Sequence, residues 1–162
     1  MPNNLTLSGS GAVSNSAVAQ PLAKYAAYKR RGDFIFLSGV IAVNPAHGLI
    51  VKSYADIPAE VRQQLGETGE FSVDMHEGPI RAQSWYVLNS IKATVEAAGG
   101  QMSDVFKLVQ YFTDLRDFPA YSRIRKLFFD EAPVSTVVEV SGMLPSKDIL
   151  IEVEATAWLP LK

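Results

Sequence analysis

The C-terminal end of the chain carries the stretch that decides its fold class. Residues 132–140 read APVSTVVEV and residues 149–158 read ILIEVEATAW, with the loop GMLPSKD between them. Both stretches are rich in β-branched residues, which predicts two strands over 135–140 and 149–158. Because side chains alternate along a strand, Glu152 and Glu154 share one face about 7 Å apart. The chain therefore ends in a strand pair that presents two carboxylates together.

Two helical patterns precede this strand pair. From Pro79 onward, small and apolar side chains recur at three- and four-residue steps until Gly99 and Gly100, which predicts a helix of about twenty residues. A strand is predicted over residues 105–112, and a second helix over about 117–129. The positions that define the long helix are Ile80, Ser84, Val87, Leu88, Ile91, Val95 and Ala98.

The first half of the chain predicts a β-hairpin followed by a less regular region. Aromatic and β-branched residues flank the turn at Gly32-Asp33, which indicates a hairpin between residues 25 and 38. Pro45 should end the strand that leads out of it. Residues 46–78 are irregular, with a helix-forming stretch over 58–65 and an acidic, loop-like stretch over 69–78.

The order hairpin, helix, strand, helix, strand, strand predicts an α+β fold. We expect a mixed β-sheet with two helices packed on one of its faces. A single domain is predicted over residues 21–162, with an insert at about 46–78. The Ser-, Asn- and Gly-rich residues 1–20 before it predict a mobile N-terminal arm.

Composition argues against several classes of protein. The chain has 162 residues, enough for one hydrophobic core, and is 48% hydrophobic and 20% charged, as folded globular proteins are. A net charge of -2 gives no basic surface for nucleic acid or an anionic membrane. There is no cysteine, and the two histidines lack metal-ligand spacing, so neither a disulfide nor a metal site is expected. No secretory signal or membrane-spanning stretch is recognised, which predicts a cytoplasmic protein.

Several segments resemble, in their order and spacing, the RidA/YjgF family of small enamine and imine deaminases. The resemblance implies a homotrimer of chorismate-mutase-like subunits, with a cleft at each subunit interface and no cofactor. It further implies hydrolysis of reactive imines such as 2-iminopropanoate to a keto acid and ammonia, while some relatives act on 2-aminomuconate. The segments are GDFIFLSG at 32–39 with VNP at 43–45, NSIKATVEAAG at 89–99, DVFKL at 104–108, DLRDF at 114–118 and the final strand pair.

The resemblance also implies the residues of the site. Tyr25 and Ser38 match the spacing of the family's cleft tyrosine and strand-end serine, and Glu152 matches the carboxylate that positions the attacking water. Ser135 stands where the family usually has a carboxylate-binding arginine, and Ser122 stands where it has a cleft asparagine. This pattern is typical of the branch that lacks the arginine.

These residue types suit imine hydrolysis. A carboxylate beside a bound water is a general base that can return the proton to the leaving ammonia, and this role falls to Glu152. Tyr25 can line the cleft or donate its phenolic proton, while Ser38 and Ser135 offer hydroxyl or backbone donors to a substrate oxygen. From the residues alone, Glu152 can equally face solvent or a salt bridge.

An acidic ligand would need another cation in place of the missing guanidinium. Arg81 is one candidate, because it falls in the first turn of the predicted long helix, where free amides favour anions. Arg62 in the insert is the other. Either can instead be an ordinary surface arginine. The insert that contains Arg62 is either a binding loop or a segment that packs between subunits of the trimer.

The sequence therefore predicts a RidA-like hydrolytic deaminase that releases ammonia from a reactive enamine or imine, with an aminomuconate-type acid among its candidate substrates. The alternative is a non-catalytic trimer of the same fold that binds a small metabolite. A ribonuclease activity, attributed to some relatives, ranks third because of the acidic charge balance. The expected partners are a small acidic molecule and further copies of the chain, without nucleic acid or membrane.

Overall fold

A computed structural model describes residues 23–162, so the predicted arm over residues 1–20 lies outside the described residues. In the described part, one six-stranded sheet carries most of the strands, and a two-stranded ribbon lies beside it. The strands are β1 (Tyr28–Arg31), β2 (Phe34–Leu37), β3 (Val40–Ile41), β4 (Val43–Asn44), β5 (Leu49–Ile50), β6 (Val105–Phe112), β7 (Val134–Glu139) and β8 (Ile151–Trp158), and the helices are α1 (Ala59–Arg62), α2 (Phe71–Ala97) and α3 (Phe118–Arg125).

The main sheet is mixed, as the sequence predicted. Its strand order is β1-β2-β8-β6-β7, and the short strand β3 pairs with the first half of β8. Strands β6 and β7 run parallel, and every other pairing within the described sheet is antiparallel. A parallel pair needs a long crossover connection, which α3 supplies between β6 and β7.

The two faces of the sheet differ in burial. Along β8, alternate side chains are buried under the helices, while the side chains between them point to the opposite face. Helix α2 contacts β2, β3 and β8, and Tyr121 of α3 packs edge-on against Phe112 of β6 at 5.3 Å between ring centroids. Both long helices therefore cover one face, which confirms the predicted α+β arrangement.

The face that the helices leave open is apolar at one end. Phe34, Phe36, Phe106 and Trp158 are between 39% and 52% exposed, and their side chains lie at this end of the sheet. The ring centroid of Phe34 lies 6.3 Å from that of Phe36 and 6.0 Å from that of Phe106. We call this set the open aromatic patch.

The predicted loop over residues 69–78 is wrong, because α2 begins at Phe71 and contains Pro79 in its interior. A proline inside a helix removes one backbone hydrogen-bond donor, but two other contacts stabilise the helical turns before Pro79. The Asp74 carboxylate accepts hydrogen bonds from the backbone N–H of Thr68 and Gly69, at 2.9 and 2.8 Å. Farther along, the buried Gly78 packs on the Tyr54 ring, where a Cβ would lie 3.2 Å from ring carbons.

This longer helix also corrects the placement of Arg81. The residue lies ten positions beyond Phe71, about three turns into α2, rather than in its first turn. It is therefore remote from the free amides at the helix start, and the argument that those amides make Arg81 an anion site does not hold.

The remaining elements agree with the prediction within a few residues. The hairpin of β1 and β2, the strand over residues 105–112 and the helix stop before Gly99, which has φ +92°, are confirmed. Helix α3 ends at Arg125, four residues short of the predicted 129, because the chain continues in isolated turns. Among the described residues, no helix is long and apolar enough to cross a membrane.

Candidate active site

Glu152 lies at the junction of three strands. It stands on β8 opposite Ile41 of β3 and opposite Tyr111 of β6, and its side chain points to the open face. The carboxylate lies over Gly39, so closely that a Cβ on Gly39 would overlap Oε1 and lie 3.0 Å from Cδ. The glycine between β2 and β3 thus leaves the space that the carboxylate occupies.

Local electrostatics keep the Glu152 carboxylate a better base than an ordinary glutamate. Partial burial raises its pKa, and the neighbouring Glu154 raises it further. Within residues 23–162, no Lys, Arg or His nitrogen lies within 4 Å of it. The pKa of Tyr111 is raised as well, first by burial and then by Glu154 and Glu152, which indicates that the phenol stays neutral beside the two carboxylates.

Ser38 connects the start of the described chain to this junction. Its hydroxyl donates to the carbonyl of Ala26 at 2.7 Å, and its backbone N–H donates to Ala27 at 3.0 Å. These bonds hold the segment that contains Tyr25 alongside the end of β2. Tyr25 itself is 47% exposed, so its ring is available for contact with another molecule. Tyr25, Ser38 and Glu152 therefore belong to one region, which we call the carboxylate half-site.

A second polar cluster lies under the other edge of the sheet and is built around Gln110. This side chain on β6 is 0% exposed, yet all of its hydrogen-bonding atoms have partners. Its amide donates to Ser135 Oγ at 2.8 Å and to the Thr136 carbonyl at 2.9 Å. Its carbonyl oxygen accepts from Tyr121 at 2.7 Å and from Arg125 Nη1 at 2.9 Å. Such a satisfied buried network fixes its members in place.

Arg125 is the cation of this cluster. Its Nη1 also donates to Ser135 Oγ at 3.2 Å, and its guanidinium carbon lies 5.9 Å from the Phe118 ring centroid and 5.7 Å from that of Tyr121. Ser122 precedes it by three residues on α3, so the two side chains lie on neighbouring positions of one helix face. Ser122, Ser135, Gln110 and Arg125 form what we call the arginine half-site.

The two arginines proposed from sequence have other contacts. Arg62 donates from Nε to the carbonyl of Ile57 at 3.0 Å and from Nη2 to that of Ala55 at 3.1 Å. Arg81 donates from Nη1 to the carbonyl of Leu65 at 3.0 Å and forms an ion pair with Glu77. Neither is hydrogen-bonded to Glu152 or Ser135. The Arg62 guanidinium instead holds the segment before α2 together, and the Arg81 guanidinium holds the Leu65 end of that segment against the helix.

Sequence reasoning missed Arg125 and Tyr111. Arg125 reads as an ordinary basic residue in the last turn of a helix, a position that favours cations in any protein. A signal existed in the parallel pairing of β6 with β7, which sets Leu108 beside Ser135 and brings Gln110 close to it. That pairing, however, becomes visible only with the strand order. Within residues 23–162, no three His, Asp or Glu side chains are grouped as metal ligands.

Comparison with known proteins identifies the family. A protein-family model described as endoribonuclease L-PSP matches residues 61–159. A RutC family protein from Pyrococcus horikoshii is 34% identical over 140 residues, covering 86% of this chain and 90% of the relative. The 2-iminobutanoate/2-iminopropanoate deaminase of Escherichia coli is 34% identical over 130 residues, covering 78% and 80%.

A similar solved structure supports the same family assignment as these two relatives. A Klebsiella pneumoniae protein, named as a candidate endoribonuclease, superposes with a TM-score of 0.83 and is 66% identical, covering 84% of this chain and all of its own. The fold and the sequence thus lead to the same assignment. The chain belongs to the endoribonuclease L-PSP family, which is the RidA/YjgF family.

Proposed function

We propose that this protein is a hydrolytic deaminase of small reactive imines and enamines. In the reaction, water adds to the C=N carbon, the C–N bond breaks, and a keto acid and ammonia leave, so that R₂C=NH and H₂O give R₂C=O and NH₃. The observation that carries the proposal is the Glu152 carboxylate, held without a cation among the described residues over the small Gly39. The name of the Escherichia coli relative, an iminobutanoate and iminopropanoate deaminase, supports the same chemistry.

Glu152 acts twice in this proposal. It takes a proton from the attacking water as the C–O bond forms, and it gives the proton to nitrogen as the C–N bond breaks. Burial and Glu154 raise its pKa, which brings the proton affinity of the carboxylate closer to neutral pH and improves the second transfer. The acid limb of the pH–rate profile should therefore lie at a higher pH than an ordinary glutamate would give.

The distance between the half-sites supports a cleft shared by two protomers. Ser135 is level with Leu108, which pairs with Ala155, and Glu152 lies three residues farther along β8 on the opposite face. Two strand spacings and three residues of rise separate their Cα atoms by about 14 Å. A three- or four-carbon imino acid cannot span this gap. We propose that the carboxylate half-site of one protomer meets the arginine half-site of its neighbour.

We propose a homotrimer of chorismate-mutase-like subunits as the assembly that brings the half-sites together. The open aromatic patch favours association, because an exposed cluster of large apolar side chains usually marks an interface. The carboxylates and Tyr111 share that face of the sheet, so a copy docked there would also seclude Glu152 from bulk water.

We keep two other functions as alternatives. A trimer that binds a small metabolite without turning it over is favoured by Ser135, because a serine hydroxyl lacks the permanent charge of the family's arginine. Hydrolysis of RNA, suggested by the names of the family and of the Klebsiella protein, is disfavoured by the net charge of -2, which gives no attraction to a phosphate backbone.

Ammonia release in the presence of short-lived imines tests the proposal. An amino-acid oxidase would generate 2-iminopropanoate from alanine, and 2-aminomuconate would serve as the larger acidic substrate. We expect the wild-type protein to accelerate ammonia release and Glu152→Gln to reduce kcat by about 10²- to 10⁴-fold. The matched control is Glu154→Gln, two residues along the same face, which should retain most of the activity and move the acid limb of the pH–rate profile to lower pH, because Glu154 no longer raises the pKa of Glu152. Equal rates for wild type and Glu152→Gln would refute the proposed role of the carboxylate.

A further inference from the structure

The Arg125 guanidinium is held by neutral groups and has no carboxylate partner among the described residues. Among residues 23–162, no carboxylate lies within 4 Å of its guanidinium. Its two hydrogen bonds both leave from Nη1, toward the neutral oxygens of Gln110 and Ser135. The Nε and Nη2 atoms make no hydrogen bond to any described residue. Together they form the edge of the guanidinium that can grip a carboxylate with two parallel hydrogen bonds.

Ser135 supplies a third donor at the same place. Its Oγ accepts from Gln110 Nε2 at 2.8 Å and from Arg125 Nη1 at 3.2 Å. A hydroxyl has two acceptor lone pairs and one proton. With both lone pairs occupied, the hydroxyl proton is left to donate, and within the described residues it has no acceptor. The serine that replaces the family's arginine thus presents a free O–H beside an unpaired guanidinium.

We propose that Arg125, assisted by the Ser135 hydroxyl, binds the carboxylate of the substrate and restores the function that the missing arginine would otherwise serve. This inference rests on the proposed function and narrows its substrate class to imines that carry a carboxylate, such as 2-imino acids. The positive charge is thus supplied by Arg125 on α3 instead of by a residue on β7, and the hydrogen bond to the buried Gln110 fixes the position of the guanidinium.

A position in the last turn of α3 does not by itself account for this arrangement. The neighbouring Arg123 and Lys126 are exposed and already complement the helix dipole. Arg125 alone of the three turns inward, against two aromatic rings and a fully buried amide. The contacts with the aromatic rings and the hydrogen bonds from Nη1 leave the Nε and Nη2 donors of the guanidinium free for a ligand.

Binding of a matched pair of ligands tests the inference. Pyruvate is the keto acid left by 2-iminopropanoate, and pyruvamide has the same shape without the charge. Titration calorimetry on the intact oligomer would compare wild type, Arg125→Gln and the exposed control Arg123→Gln. We expect Arg125→Gln to weaken pyruvate binding about 10- to 100-fold, the loss typical of a charge-assisted hydrogen-bond pair, and to leave pyruvamide unchanged. Arg123→Gln should change neither, and thermal unfolding would show that both variants are folded.

The outcomes separate this inference from the proposed function. If the wild type turns over 2-iminopropanoate and Arg125→Gln keeps the wild-type KM and pyruvate affinity, the Arg125 site is refuted while the deaminase stands. If no imine is turned over but pyruvate binds in an Arg125-dependent way, the deaminase is refuted and the carboxylate site stands. An equal loss of pyruvate and pyruvamide binding in Arg125→Gln would also overturn the inference.

Discussion

Replacement of Gly39 by alanine tests the position of the Glu152 carboxylate, the proposed general base, without changing its chemistry. A Cβ at residue 39 would overlap Glu152 Oε1 and lie 3.0 Å from Cδ and 3.2 Å from Cγ, whereas ordinary contact begins at 3.4 Å. The backbone there does not adopt the left-handed conformation that favours glycine. The clash is therefore with the end of a flexible side chain, which can swing aside while the fold persists.

The expected loss of rate follows from this displacement. A Cβ would lie 2.0 Å from Oε1, so that oxygen must move by 1.4 Å to reach the 3.4 Å of ordinary contact, and a misplacement of about 1 Å already costs about 10²-fold in rate. We expect Gly39→Ala to reduce kcat by this factor in the ammonia-release assay, with a melting temperature close to that of the wild type. In a Glu152→Gln background the same substitution should have no further effect, because the group that it displaces is already inactive.

Gly142→Ala is the matched control. Gly142 lies in an exposed loop, and a Cβ there would meet nothing within 4 Å. This variant should keep the wild-type kcat. If Gly39→Ala is as active as Gly142→Ala, the reasoning that ties catalysis to the placement of the Glu152 carboxylate is refuted.

Three further predictions concern stability and are checked by thermal unfolding. Burial raises the pKa of Glu152 in the folded state, so the wild type loses stability as the pH rises from the ordinary carboxyl pKa through this raised pKa. The melting temperature of Glu152→Gln should therefore be higher than that of the wild type at neutral pH and equal to it in acid. A difference in melting temperature that does not change with pH would contradict this. Gln110→Leu strands the partners of four hydrogen bonds and should cost about 2–4 kcal/mol; an unchanged melting temperature would count against the network. Arg81→Ala removes one of two donors to the Leu65 carbonyl and should cost about 1–2 kcal/mol with KM unchanged; a raised KM would revive Arg81 as a ligand residue.

The parts of the fold with a clear repeat were predictable from sequence. Strand alternation located β8 and placed Glu152 and Glu154 on one of its faces, and the three- and four-residue steps located most of α2. The first turns of α2 were not predictable, because Pro79 reads as a helix start and most of the residues from Phe71 to Glu77 are exposed, so that they carry no apolar stripe. Their helical state depends on Asp74, which holds the preceding loop through hydrogen bonds that no local pattern shows.

The sequence was enough to propose the carboxylate half-site, but not Arg125 of the arginine half-site. Tyr25, Ser38 and Glu152 were recognisable because their types and spacing match the family. Arg125 was not recognisable, because the contact that singles it out is a hydrogen bond to Ser135, which lies ten residues later on β7. That contact depends on the parallel pairing of β7 with β6. Sequence position favoured Arg81 and Arg62 as the cation that replaces the family's arginine, but both donate hydrogen bonds to backbone carbonyls that are distant or unpredictable in the sequence.

In the proposed trimer, Glu152 of one protomer and Arg125 of its neighbour serve the same cleft, and mixed oligomers test this arrangement most directly. Co-expression of Glu152→Gln and Arg125→Gln chains with different affinity tags would yield mixed oligomers, to be assayed for ammonia release beside each parent. If the cleft is shared, equal and random mixing in a cyclic assembly makes about one cleft in four carry both native residues, and activity should recover to about a quarter of the wild-type level. Mixed oligomers no more active than the two parents would contradict the claim.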